Sequence, residues 1–321
     1  MSGGKTILSI DGGGIRGVIP AMVLEHVERC CGRPIGELFD VVAGTSTGGI
    51  LALGVACPDD DGGYRFTAAD LVALYEDNAE RIFPRSAFSK IRQLTEEKYS
   101  ADGLETVLRE KLGDVRLEDA LTEVIVTAYD IERRAPFFFR SAQAKRMPAT
   151  HDFAMWEVAR ATSAAPTYFE PFRLAAEPPS PDYALIDGGV FANNPGMCAF
   201  VDASAGQADT ENTLMVSLGT GELTRTIPYE EAKGWGLAGW APRLLDVVFD
   251  GVSDTVHFQL KQILGARYHR FQIPLQRASD DLDEARRRNI VDLKLEAQDL
   301  IAREGDSLDR LCATLKPRAE G

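Results

Sequence analysis

The segment Gly44-Thr45-Ser46-Thr47-Gly48 has the pattern GxSxG and stands between the apolar run Phe39-Asp-Val-Val-Ala43 and a small, apolar run that continues to Ala56. A strand that turns into a helix through so few residues constrains the whole chain, because such corners belong to sheets whose strands alternate with helices. The opening of the chain follows the same rule. Lys5-Thr-Ile-Leu-Ser-Ile10 is a short apolar run bounded by glycines, the pattern of a fully buried strand. Val18 to Cys31 then places Met22, Val23, Val27 and Cys30 at the recurrence of a helix that packs one face inward. Strand, helix, strand, helix predicts a parallel α/β sheet.

Further elements follow. Thr67 and Asp70 form a capping-box pattern before a helix through Leu71, Leu74, Tyr75 and Ile82 that Pro84 closes, and a second helix follows Ser100 with Leu104, Val107, Leu108 and Leu112 in register. Glu123–Tyr129 and Phe137–Phe139 read as strands and Phe153–Ser163 as a helix. Leu185-Ile186 and Leu214–Leu218 read as short strands ending at Asp187-Gly-Gly189 and Gly219-Thr-Gly221. Beyond these, a helix is expected from Pro242 to Leu264, with Leu244, Val248, Val252, Val256, Leu260 and Ile263 near one stripe, and a polar one from about Pro274. Without an internal repeat or a long linker, residues 1–321 are expected to form one domain, its motifs within 5–221 and a helical extension over 240–321.

Composition narrows the partners. The chain is 45% hydrophobic and 26% charged, as a globular protein is, and 35 Lys plus Arg against 49 Asp plus Glu leave a net charge of −14. That balance opposes capture of a phosphate backbone, so a nucleic-acid polymer is not an expected partner. The five cysteines, Cys30, Cys31, Cys57, Cys198 and Cys312, contain no CxxC pair and no histidine at metal-ligand spacing, which indicates neither a disulfide framework nor a metal site. No apolar run reaches the ~18 residues of a spanning helix, and no long apolar segment precedes the first motif, so a reduced, cytoplasmic compartment is expected.

Ser46 is the candidate nucleophile, set at a corner that projects its hydroxyl beyond the sheet and at the N-terminus of the following helix. Asp11-Gly12-Gly13-Gly14-Ile15-Arg16-Gly17 contains GxGxxG literally, but a dinucleotide site needs an acidic residue ending the second strand, and that strand ends in Ala43-Gly44-Thr45-Ser46. Gly12, Gly13 and Gly14 instead suit an oxyanion hole, since backbone N–H groups without a neighbouring Cβ can approach a developing alkoxide. Arg16 either adds positive charge or holds the loop there, or is a surface arginine at a helix start. The order Ser46, Asp187, His257 or His269 would fit an α/β-hydrolase triad, yet such folds place several strands before the elbow and here one precedes it. His26, His151, His257 and His269 lie in helical or apolar contexts without a motif and read as structural or surface residues. Asp187, an acid at a strand end followed by two glycines, makes a direct Ser46–Asp187 dyad the better reading.

With DGGGIRG at Asp11–Gly17, GTSTGG at Gly44–Gly49 and DGG at Asp187–Gly189, the chain resembles the patatin-like phospholipases. Ala161-Thr-Ser-Ala-Ala-Pro-Thr-Tyr-Phe169, Asn193-Asn194-Pro195 and Gly219-Thr-Gly221 extend the likeness over about residues 5 to 221. The resemblance implies a three-layer α/β/α sandwich with a mostly parallel central sheet, and a Ser46–Asp187 dyad with an oxyanion hole on Gly12–Gly14 and Arg16 nearby. It also implies lipid acyl hydrolysis, with phospholipid as substrate, using neither metal nor organic cofactor. The lack of a secretory signal departs from the plant storage members, and an intracellular bacterial-type protein is expected. Some bacterial members are phage-defence effectors switched on by cyclic nucleotides, so the alternative is the same hydrolase with a cyclic-nucleotide activator and a homo-oligomeric form. A protein of this charge must meet lipid through a local patch during peripheral contact with a membrane. Arg81-Ile-Phe-Pro-Arg-Ser-Ala-Phe-Ser-Lys-Ile-Arg92 mixes Arg81, Arg85, Lys90 and Arg92 with Ile82, Phe83, Phe88 and Ile91, and is that candidate.

Overall fold

Strand β2, Val41–Thr45, is buried at every position, and a strand without a polar face belongs inside a sheet covered on both sides. The computed structural model, which describes residues 4–84, 98–176, 178, 181–204 and 212–315, shows that sheet. Its other strands are β1 (Thr6–Ile10), β3 (Glu123–Asp130), β4 (Ala135–Arg140), β5 (Phe172–Leu174), β6 (Tyr183–Asp187), β7 (Leu214–Leu218) and β8 (Tyr268–Phe271). They lie in the order β5-β6-β3-β2-β1-β7-β8, with β4 paired to β3. The run from β3 through β2, β1 and β7 to β8 is parallel, and the pairings of β3 with β4, β3 with β6 and β5 with β6 are antiparallel.

Alternation of side chains divides the core between the two faces. Leu8, Ile10, Val42, Val124 and Val126 pack toward the helices Val18–Cys31, Thr47–Ala56, Ala68–Ile82 and Asp102–Leu112. Ile7, Val41, Ala43, Ile125 and Met215 pack against Ala199 and Phe200 of the helix Gly196–Ser204 and Leu260 and Leu264 of the helix Leu237–Leu264. This is the expected α/β/α layering. Helix Thr47–Ala56 is buried on all ten residues, as an apolar helix without a polar face must be. Helix Val18–Cys31 has its expected bounds and stops where Gly32 turns left-handed at φ 68°. Thr67 and Asp70 close the anticipated capping box.

The C-terminal part departs from the expectation of helices alone. Strand β8 joins the sheet beside β7, residues 272–286 are irregular, and the polar helices are Arg287–Arg303 and Gly305–Leu315. In the long helix, Leu260 is buried, Val248, Val252 and Val256 are half-buried, and Leu244 and Ile263 are 52% and 49% exposed. Residues spaced by four advance about 40° past a full turn at each step, so the run at i+4 spacing precesses and carries Leu244 away from the face of Leu260, while Ile263, three residues beyond Leu260, stands about 60° to its other side. Within the candidate lipid contact, Arg81 pairs with Glu110 at 2.8 Å, Ile82 is buried, and the Phe83 ring lies 5.7 Å from Tyr99 and 5.8 Å from Phe169. Arg85, Phe88, Lys90, Ile91 and Arg92 lie outside the described residues.

Strand β8 also delivers Arg270 to the end of β1, where its guanidinium donates to Asp11 Oδ2 at 2.6 Å and Ser217 Oγ at 2.8 Å. Burial works against the Arg270 charge, but the Asp11 carboxylate outweighs it and raises the Arg270 pKa. Arg270→Met should therefore leave a buried, unpaired carboxylate and lower stability by about 3–5 kcal/mol. Urea unfolding should show it as a lower midpoint, with Asp11→Asn in the same background recovering part of the loss.

Candidate active site

The site begins with strand register. Strand β2 pairs with β3 as far as Thr45 opposite Thr127, while β6 pairs antiparallel with β3 from Asp187 opposite Ala128. Since β4 occupies the other edge of β3 over the same residues, β2 and β6 abut end to end on one edge. The residue that follows Thr45 and the residue that ends β6 are thereby brought together, although the chain between them is long. They are Ser46 and Asp187, and they line one cavity.

Ser46 occupies φ 54°, ψ −123°, a conformation sparsely used by any residue but glycine, at the cap of helix Thr47–Ala56. The corner closes so tightly that a Cβ on Gly44 would stand 2.0 Å from the Gly48 carbonyl oxygen, and one on Gly48 2.1 Å from that of Ile10. Those distances explain the glycine at both ends of GTSTG. The Ser46 N–H donates to Thr162 Oγ1 at 2.8 Å, and Thr162 donates onward to the Thr127 carbonyl at 2.6 Å. The Ser46 carbonyl accepts from Ile50 N–H at 3.1 Å, and Thr47 Oγ1 shares a hydrogen bond with the Tyr75 hydroxyl.

Asp187 is fully buried. Its Oδ1 accepts from the Gly189 amide at 2.7 Å, and Oδ2 has no partner of full hydrogen-bond geometry. Burial raises its pKa to about 7, and the Ser46 hydroxyl, near enough to act as a donor, and the Gly189 amide hold that rise back. A carboxylate tuned so is half-ionised near neutrality, the range of an effective general base.

The loop after β1 forms the facing wall. Gly12 N–H donates to the Asn193 carbonyl at 2.9 Å, so the expected oxyanion set loses the Gly12 amide to the scaffold. The Gly13 carbonyl accepts from Arg16 Nε at 3.3 Å and Arg16 N at 3.2 Å. Across a planar trans peptide the Gly14 N–H points the opposite way, clear of those donors. Gly13 and Gly14 line the cavity, and their amides have no protein acceptor among the described residues. Gly14 is left-handed at φ 57°, and a Cβ there would lie 2.2 Å from the Leu282 carbonyl oxygen. Arg16 is 6% exposed, so it is a buried loop-holding residue and not a surface arginine. Burial lowers its pKa, while Asp250, Asp246 and Asp280 act against that fall.

No histidine is brought to this cavity. His257 faces the Tyr268 hydroxyl at 3.3 Å, His269 lies on β8, His151 bonds Thr150 at 2.7 Å, and His26 lies beside Cys30. The rest of the cavity is largely apolar, with Ile50, Ile82, Phe83, Leu104, Phe169 and Phe249 in its wall.

A family model described as Patatin-like phospholipase matches residues 8–198, which hold the glycine loop, the elbow and the strand ending at Asp187. The chain belongs to the patatin-like phospholipase family. Patatin-like protein 2 of Arabidopsis thaliana is 33% identical to it over 94% of this chain and 82% of its own. Probable inactive patatin-3-Kuras 1 of Solanum tuberosum is 34% identical over 75% of this chain and 70% of its own. The crystal structure of VipD from Legionella pneumophila aligns with 94% of this chain and 67% of its own at 13% identity, with a TM-score of 0.42. As a patatin-like protein the chain is a lipid acyl hydrolase, and no helix among its described residues is long and apolar enough to cross a membrane.

Several supports of this patatin-like site escaped the reading of single motifs. Thr162, Asn193, Thr220 and Leu282 each fix the elbow or glycine loop through one contact from a distant segment. Of these, Thr162, Asn193 and Thr220 stand within stretches that carry the family likeness, the one available signal, and Leu282 stands outside them. Thr162→Val should leave the Ser46 N–H and the Thr127 carbonyl without their shared partner, cost about 1–3 kcal/mol of stability and lower turnover. Thr162→Ser should restore both, as thermal melts and ester hydrolysis on the same samples would show.

Proposed function

We propose that the chain cleaves carboxylic ester bonds of membrane phospholipids through a Ser46–Asp187 dyad and an acyl-enzyme. The observation that carries this reading is a fully buried carboxylate with an oxygen left over for the serine beside it, in a cavity without a histidine. Ser46 Oγ attacks the ester carbonyl carbon while Asp187 takes the hydroxyl proton, and the Gly13 and Gly14 amides stabilise the tetrahedral oxyanion. The proton passes from Asp187 to the departing alcohol oxygen as the C–O bond breaks. Water then attacks the acyl-serine, Asp187 again receives the proton, and fatty acid leaves as Ser46 recovers its hydrogen. The apolar wall suits an acyl chain. The lipid surface itself would be met peripherally, with residues 85–92 the segment to test for that contact.

Ser46→Ala and Asp187→Ala should each abolish fatty-acid release from mixed phospholipid vesicles without changing the fold, and the double variant should be no worse than either, since the two act as a unit. His257→Ala and His269→Ala should keep most activity. A loss of about 10³-fold in either, with normal stability, would replace the dyad by a triad. Repeating the vesicle assay with cyclic nucleotides, while following oligomer size, separates a constitutive hydrolase from the ligand-activated effector.

The pH profile gives an independent test. Because the base must be ionised, kcat/KM should rise with pH through an apparent pKa near 7 and level off above it, following the raised pKa of Asp187. A profile flat from pH 5 to 8 would remove Asp187 from the role of base.

A further inference from the structure

At the opposite end of helix Val18–Cys31 from the glycine loop, roughly 20 Å along its axis, the last turn faces helix Gly305–Leu315. His26 and Cys30 stand one turn apart there, with His26 Nε2 3.5 Å from Cys30 Sγ. Asp309 faces them from the last helix. One ligand atom from each of His26, Cys30 and Asp309 lies within 4.8 Å of the other two. Around them the seam is apolar, with Leu308, Leu311 and Leu315 buried, and the Cys312 thiol adjoins those of Cys30 and Cys31.

We infer that His26 Nε2, Cys30 Sγ and the Asp309 carboxylate form a binding site for a zinc-class divalent cation that fastens the last helix to the first. An imidazole nitrogen, a thiolate and a carboxylate are the donor set that such ions select, with three protein ligands and water at the fourth corner. The spacing agrees: metal–sulfur and metal–nitrogen bonds of about 2.3 and 2.0–2.1 Å at the tetrahedral angle place the two donors about 3.6 Å apart. Within helix Val18–Cys31 the two ligands one turn apart share a face, so helical rigidity presets that part of the geometry. His26 and Cys30 are half-buried and Asp309 is exposed, which leaves an open approach for the ion. On binding, the Cys30 thiol loses its proton to water and the sulfur lone pair takes up the metal. Arg29 opposes the cation. Its Nη2 lies 3.4 Å from His26 Nδ1, so ligation through Nε2 requires the exposed Arg29 side chain to turn outward and the ring proton to sit on Nδ1.

The test uses the full chain under a thiol-sparing reductant, titrated with Co²⁺ and then with competing Zn²⁺. The wild type should bind one Co²⁺ per chain with a thiolate-to-cobalt charge-transfer band and the strong visible bands of four-coordination, and Zn²⁺ should displace it and raise the melting temperature. Cys30→Ser should abolish the charge-transfer band. His26→Gln and Asp309→Asn should weaken binding at least about 100-fold, beyond what outer partners of a metal site cost. Arg29→Gln should tighten it. Turnover of a soluble ester should be the same in all of them. Asp309→Asn alters an exposed side chain, so its result stands even if a cysteine variant fails to fold. Absence of the band in the wild type, or an undiminished band in Cys30→Ser, would overturn the proposal.

Discussion

Ser46 is held at φ 54°, and the rest of the site is arranged around the cost of keeping it there. A non-glycine residue in such a conformation is disfavoured by about 1–3 kcal/mol and persists only where its surroundings overdetermine it. Those surroundings are the glycines that let the corner close, the Thr162 side chain on the Ser46 amide, and the following helix, all ten of whose residues are buried. Relaxing the serine would require moving a helix that touches water on no side. Packing energy spread over that helix therefore maintains a local geometry that the five residues could not hold by themselves.

The second constraint is that Asp187 reaches Ser46 by sheet register and not by sequence proximity. Strand β3 accepts β2 and β6 on one edge, so a register slip of either strand would separate Ser46 from Asp187 and turn their neighbours to the wrong face. The glycine loop is fixed as firmly, from several directions. Asp11 N–H donates to the Leu218 carbonyl, Gly12 to Asn193, and Ile15 to Leu282, while the Gly12 carbonyl accepts from Thr220 Oγ1. Donors held this way need no reorganisation when charge develops beside them, which is the condition for strong oxyanion stabilisation.

What could be read from the residues was what depends on near neighbours. Helix Val18–Cys31, the elbow, the capping box at Thr67 and the strand ending at Asp187 rest on periodicity and turn chemistry within a few positions. Strand β8 was not legible, because Tyr268-His-Arg-Phe271 buries only its ends and earns its place through Arg270 reaching Asp11. Strand β5, three residues long, carries no pattern either. Gly12 shows the limit most plainly. The motif identifies a loop able to present amides, but which amides are left to present depends on Asn193, from the far side of the sheet. In the cluster of His26, Cys30 and Asp309, the first two stand four residues apart on one helix, but Asp309 comes from the last described helix, so spacing along the chain could bring out only two of the three.

Placing Asp187 in a dry pocket carries a thermodynamic penalty tied to the role proposed for it. A carboxyl whose folded pKa is about 7 against an ordinary 3.8 binds its proton more tightly in the native state than in the unfolded chain. That contribution to stability is complete below about pH 3.8 and is lost as pH rises through about 7, at a difference of roughly 4 kcal/mol for some three pKa units. The fold is thus least favoured by Asp187 in the state in which Asp187 can accept a proton. A histidine base would avoid this conflict, since its unperturbed pKa already lies near 6.5. With a carboxylate, the tuning must come from burial, and burial without full hydrogen bonding is what leaves one oxygen unpaired and directed to the serine. The unsatisfied atom, the raised pKa and the loss of stability are consequences of one placement, set by where β6 ends against β3.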